Sequence, residues 1–181
     1  MTVYLHYNEA WELVCDLDDA FTLYVDDRIT QRADSFYQQH FAIAETDTEK
    51  VYAAKNAINY KAEYAPAVGH DEYGDYYAPD AHSILGFFDK SRIVCDGYAS
   101  VFQYLMLRAG LDCVVVIGST VSRQDAEDGG GDHAWNKVKV DGVWYNMDVC
   151  WSDTGWPYTF DLKSDEFYAG RRHWAVRYSY L

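Results

Sequence analysis

An α+β fold, with one amphipathic helix laid on an antiparallel sheet, is the class this sequence predicts, and three stretches carry the prediction. Tyr98, Val101, Phe102, Leu105 and Ala109 recur at i, i+3, i+4, i+7 and i+11, which is one apolar helix face. The run CVVVI at 113–117 reads as a buried strand. Asp141-Gly142 lies between two alternating runs, among the strongest short-range hairpin signals.

Length and charge narrow the function classes. The chain has 181 residues, 49% of them hydrophobic and 17% aromatic, enough to pack one core. Acidic residues outnumber basic ones 29 to 15, for a net charge of −14. Such a surface repels a phosphate backbone, so nucleic-acid binding is not expected. Anionic lipid is excluded on the same ground, and no stretch approaches the ~20 apolar residues that cross a bilayer. The first residues, MTVYLHYNEAWELV, lack the basic and apolar regions of a secretory signal, which leads to the expectation of a cytoplasmic location. Cys15, Cys95, Cys113 and Cys150 contain no C-x-x-C pair, so neither a disulfide scaffold nor a cysteine-type zinc site is predicted.

The elements follow in order. Residues 8–18 suit a short helix, and Phe21, Leu23 and Val25 alternate as a strand would. Thr30 is placed to cap a helix running to about Phe41. Thr46-Asp47-Thr48-Glu49 is a capping-box pattern opening a helix to about Tyr64, which Pro66 closes. Residues 66–80 form a loop rich in Gly, Pro, Asp and Tyr, without the Asp spacing and terminal Glu of a calcium loop. A short helix at 81–88 and a linker lead to Cys95, where the amphipathic helix begins; Gly110 sits where a C′ glycine ends it. The acidic, glycine-rich segment 121–132 reads as a mobile loop.

A two-residue turn at Asp141-Gly142 fixes the register of the hairpin. Val140 then faces Val143, Val138 faces Tyr145, Asn136 faces Met147 and Ala134 faces Val149, and this set belongs on the core. The opposite face pairs Lys139 with Trp144, Lys137 with Asn146, Trp135 with Asp148, and His133 with Cys150. His133 and Asp148 become diagonal neighbours, with Cβ atoms about 7 Å apart. One hydrogen bond across that gap fixes the imidazole's orientation and stabilises its charged form.

A thiol completes the set. Cys95 opens a helix, where partial positive charge favours thiolate, and its N–H can donate to an oxyanion. Gly97 in the first turn lets a substrate chain approach the backbone. Cys150 is the rival, since the register sets it opposite His133, but a strand offers no helix dipole and its neighbours Val149 and Trp151 are apolar. Cys113 and Cys15 read as structural. A metal site built from His133, Asp148 and a thiol is the remaining alternative for these residues.

The segment from His82 to Trp151 resembles the bacterial transglutaminase-like family, within the papain-like cysteine-enzyme superfamily. The resemblance rests on Cys95-Asp96-Gly97-Tyr98-Ala99, on His133-Ala134-Trp135-Asn136, on Gly142-Val143-Trp144-Tyr145, and on Asp148-Val149-Cys150-Trp151. It implies a Cys95–His133–Asp148 triad on a papain-like/transglutaminase-like core, the cysteine's helix packed against an antiparallel sheet. Two features depart from the pattern: Cys150 stands where Thr is frequent, and the paired C-x-x-C zinc ligands of peptide N-glycanase relatives are absent.

The expectation is therefore a catalytic domain over 46–181 with residues 1–45 as an extension packed on it. The implied chemistry is acyl transfer from a peptide or side-chain amide through a Cys95 thioester, without cofactor or metal. Water as acceptor gives a protease or amidase, and an amine gives a transglutaminase. Trp135, Trp144, Gly97 and Tyr98 are candidates to line the substrate cleft, with Tyr76, Tyr77 and the 121–132 loop as possible borders. The alternative is a silent protein- or glycan-binding module on the same fold.

Overall fold

The capping box at Thr46 and the apolar stripe after Cys95 define the helical layer. In the computed structural model, residues 6–7, 13–14, 19–71, 74–127, 132–153 and 159–179 are described. The order begins with β1 (His6–Tyr7), β2 (Leu13–Val14), α1 (Asp19–Phe41), α2 (Asp47–Lys61) and β3 (Glu63–Tyr64). It continues with β4 (Gly69–Asp71), β5 (Gly74–Tyr76), a 3-10 turn (Pro79–His82), α3 (Ile84–Lys90), β6 (Arg92–Ile93) and α4 (Cys95–Arg108). Then come β7 (Cys113–Ser119), α5 (Arg123–Glu127), β8 (His133–Val140), β9 (Val143–Met147), α6 (Val149–Asp153), α7 (Asp165–Ala169) and β10 (Trp174–Ser179).

Four strands form the main sheet in the order β10-β7-β8-β9, each pair antiparallel. The fold is α+β. Helix α4 lies on this sheet, burying Tyr98, Ala99, Val101, Phe102, Leu105 and Met106. Its C-terminus is a Schellman motif: Leu111 N–H donates to the Met106 carbonyl, Gly110 N–H to Leu107, and Gly110 takes φ +82°. Thr46 and Glu49 form the capping box of α2 reciprocally.

The hairpin has the expected register, with Asn136 opposite Met147 and Val140 opposite Val143. Asp141 and Gly142 both take positive φ, as a type I′ turn requires. Strand β9 stops at Met147, however, and Asp148 turns the chain into α6. Its Oδ1 accepts the Trp151 N–H at 2.9 Å, an N-cap contact, so Cys150 is helical and does not pair with His133.

Other expectations are corrected. Phe21, Leu23 and Val25 belong to α1, which starts eleven residues before Thr30, and the strand period over three residues was too short to outweigh it. Leu13 and Val14 are extended rather than helical, while the rest of 8–18 lies outside the described residues. Helix α2 ends at Lys61. The 66–80 loop contains the β4–β5 hairpin, and 121–132 contains α5, with 128–131 outside the described residues. Ile29, Ala33, Phe36 and Phe41 of α1 join the core formed by α2, α3 and α4.

Candidate active site

Cys95 is the first residue of α4, so its N–H has no partner within the helix. Two close contacts fix that start. A Cβ on Gly97 would lie 2.4 Å from the Ala81 carbonyl and 2.8 Å from Ile93 Cβ, so glycine lets α4 press onto the 3-10 turn. The Asp96 carboxylate contacts the His82 ring at 2.9 Å and accepts the Gly97 N–H, while the half-buried Cys95 packs against Ala99 and against Val115 and Ala134 of the sheet.

His133 opens β8 on the strand next to β7. Its Nε2 lies 2.7 Å from Asp148 Oδ2, and both side chains are almost wholly buried. Cys95 lies close enough to act on the charge of the same ring, and with Nε2 taken by Asp148 the nitrogen left to face a thiol is Nδ1. Burial opposes charge on His133, but the Asp148 carboxylate and its hydrogen bond, helped by Cys95, outweigh this and raise the imidazole pKa to about 10. Burial likewise opposes charge on Asp148, yet His133, then His173, hold its carboxyl down at about 2. The imidazole and carboxylate are hydrogen-bonded, and Cys95 sits beside the imidazole, giving the order thiol, imidazole, carboxylate.

The row continues into a residue that the sequence did not point out. His173, just before β10, brings Nε2 within 3.2 Å of the same Asp148 oxygen, and its side chain is fully buried. No motif or periodicity after Trp151 marks it. Trp151 packs against both imidazoles, with ring centroids 5.0 Å from His133 and 4.4 Å from His173. Phe160 and Tyr168 close the far side of His173 at 5.0 and 4.8 Å.

Among the described residues, His133, Asp148 and His173 are a cluster with metal-type donors, all within 4.8 Å. The third donor is an imidazole, not the thiol of the sequence-based alternative. Each donor is already engaged by its neighbours.

The expected cleft residues are spread over the fold. Trp135 is buried because α7 and Phe160 cover that face; its ring lies over Gly118 and its Nε1 donates to Asn146 Oδ1 at 3.0 Å. Tyr98 is buried too, its hydroxyl donating to Asp153 Oδ2 at 2.9 Å and tying α4 to α6. Gly97 lets α4 pack against Ala81 and Ile93, as its contacts require. Trp144 is exposed, but it pairs with Lys139 near the turn, six residues and ~20 Å along the strand from His133. Tyr64 is exposed and close enough to Cys95 to feel its charge, and Tyr77 packs edge-on against Tyr64 and His82. Cys150 and Cys113 are buried, and burial pushes both thiols far up. Cys15 lies outside the described residues.

Human kyphoscoliosis peptidase is 30% identical over 112 residues, 60% of this chain and 16% of that protein. The mouse (Mus musculus) kyphoscoliosis peptidase gives the same figures, so the chain spans only 16% of the length of these curated relatives. Among solved structures, a TGase superposes with a TM-score of 0.52 at 18% identity, covering 79% of this chain and 35% of that one. A candidate cysteine protease from Cytophaga hutchinsonii also gives 0.52, at 14% identity, covering 91% and 48%. The transglutaminase-like superfamily model matches residues 34–149, most of the chain and a span that holds Cys95, His133 and Asp148 together. This chain belongs to the transglutaminase-like superfamily.

Proposed function

We propose that this chain is a thiol-dependent acyl-transfer enzyme acting on peptide or side-chain amides, with Cys95 as nucleophile, His133 as proton carrier and Asp148 as the acid that orients it. The observation supporting this most strongly is the buried His133–Asp148 pair, 2.7 Å apart, with the half-buried Cys95 at the start of α4 acting on the same ring. The Cys95 thiolate attacks the amide carbonyl, and the Cys95 N–H donates to the oxyanion. His133 gives its proton to the leaving amine as the C–N bond breaks, and a thioester remains. His133 then takes a proton from the acceptor, which attacks the thioester and releases the thiolate. Water is the acceptor we favour, because the curated relatives are named peptidases.

The unit in this proposal is 46–181, with 1–45 as an extension whose α1 packs on it. Substrates are peptides or proteins. Wild type and Cys95→Ala are incubated with a peptide mixture, with and without a primary amine, and products are read by mass spectrometry. New termini from wild type alone support hydrolysis, and amine adducts from wild type alone support transamidation. Equal product from both proteins, or none from either, contradicts the proposal.

A further inference from the structure

Two imidazoles share one carboxylate oxygen. His133 Nε2 and His173 Nε2 lie 2.7 and 3.2 Å from Asp148 Oδ2, while Oδ1 accepts the Trp151 N–H. The other nitrogen of His173, Nδ1, lies 3.1 Å from the Arg171 carbonyl oxygen. A carbonyl and an ionised carboxylate only accept hydrogen bonds. His173 therefore makes both bonds only if each of its nitrogens carries a proton.

A cation in that place needs compensation. The His173 side chain is 0% exposed and is walled by the rings of Trp135, Trp151, Phe160 and Tyr168 at 4.4–5.1 Å. The titratable groups facing it are His133 from β8, Asp148 from the β9–α6 junction and Tyr168 from α7, with Asp161 near Tyr168. The Arg171 guanidinium is turned onto the Phe167 ring. With Cys95 as thiolate and both rings protonated, the row alternates in sign along sulfur, His133, Asp148 and His173, and its charges cancel. Without His173 the same row holds one net negative charge, with its carboxylate fully buried, an expensive arrangement.

We propose that His173 is a positioning residue that holds Asp148 in line with His133 and limits how tightly His133 keeps its proton. Its use in catalysis rests on the acyl-transfer reading; the shared-oxygen network does not. In that reaction His133 must both release and regain a proton, and an imidazolium facing an undivided buried carboxylate releases its proton poorly. Splitting the oxygen between two cations weakens its pull on each.

The test is nitrogen NMR on protein carrying 15N-labelled histidine, with signals assigned by their loss in single variants. In wild type the two acceptor contacts call for a proton on each His173 nitrogen; a neutral tautomer overturns the proposal. In His173→Gln, which keeps a neutral donor, and His173→Phe, which keeps an aromatic ring, the His133 titration moves to more alkaline pH by about one unit. A His133 titration that stays put in folded variants also overturns it, because mere packing would alter Tm alone. Should both variants fail to fold, the wild-type tautomer decides. An inert Cys95 toward iodoacetamide would count against the acyl-transfer reading and leave these NMR outcomes as they are.

Discussion

Asp148→Asn is nearly isosteric, so its effect isolates charge and donor pattern at the centre of the site. The native carboxylate accepts three hydrogen bonds, two from imidazoles on Oδ2 and one from the Trp151 N–H on Oδ1. An amide has one donor end. If that end faces Trp151, it meets a backbone N–H that cannot turn, and a buried donor is orphaned. If it faces the rings, both must present a bare nitrogen. His133 then carries its proton on Nδ1 toward Cys95, the wrong tautomer to accept the thiol's proton. Either arrangement removes the buried charge that holds His133 protonated. Removing one partner of a buried pair costs about 3–5 kcal/mol. In a domain of this size each kcal/mol lowers Tm by about 2–4 °C, so a drop of roughly 6–20 °C is expected by thermal circular dichroism. Turnover of a peptide substrate should fall on the order of 10²–10⁴-fold, beyond what partial unfolding explains at 25 °C. A variant with wild-type Tm and wild-type turnover would refute the reasoning.

Three further outcomes are expected. Cys95→Ala abolishes iodoacetamide incorporation at the site and turnover, whereas Cys150→Ala keeps both, since Cys150 is buried in α6; peptide mapping after brief labelling distinguishes them. Gly97→Ala places a methyl 2.4 Å from the Ala81 carbonyl and should destabilise by about 1–3 kcal/mol, read as a lower urea midpoint with unchanged slope. For pH, the folded His133 value of about 10 exceeds its usual 6.5, so its stabilisation is complete below pH 6.5 and is lost as pH climbs through 10. The folded Asp148 value of about 2 lies below its usual 3.8, so its contribution is complete above pH 4 and lost as pH falls through 2. Wild-type Tm should therefore decline on both flanks of pH 4–6.5, and Asp148→Asn should show shallower flanks.

The hairpin was legible because Asp141-Gly142 admits one register, and that register brings His133 near Asp148 without any tertiary information. The helix from Cys95 was legible from its stripe and from Gly110. What escaped was set by tertiary cover. Trp135 sits on the strand face opposite α4, which an isolated hairpin would leave open; α7 and Phe160 bury it. Asp148 looked like one more strand residue, and its capping of α6 is a contact three residues away that alternation cannot reveal. His173 has no local signal, since its surroundings depend on a carboxylate 25 residues earlier and on rings from α6, α7 and the segment between them.

The juxtaposition of Cys95 and His133 can be measured directly with 1,3-dibromoacetone, which alkylates a thiol and then any nucleophile within its short reach. Peptide mapping of the treated wild-type protein should recover Cys95 joined to His133 through a ring nitrogen, with no such product from Cys95→Ala. Recovery of Cys95 alkylated but unbridged, or joined to His82 instead, would contradict the account.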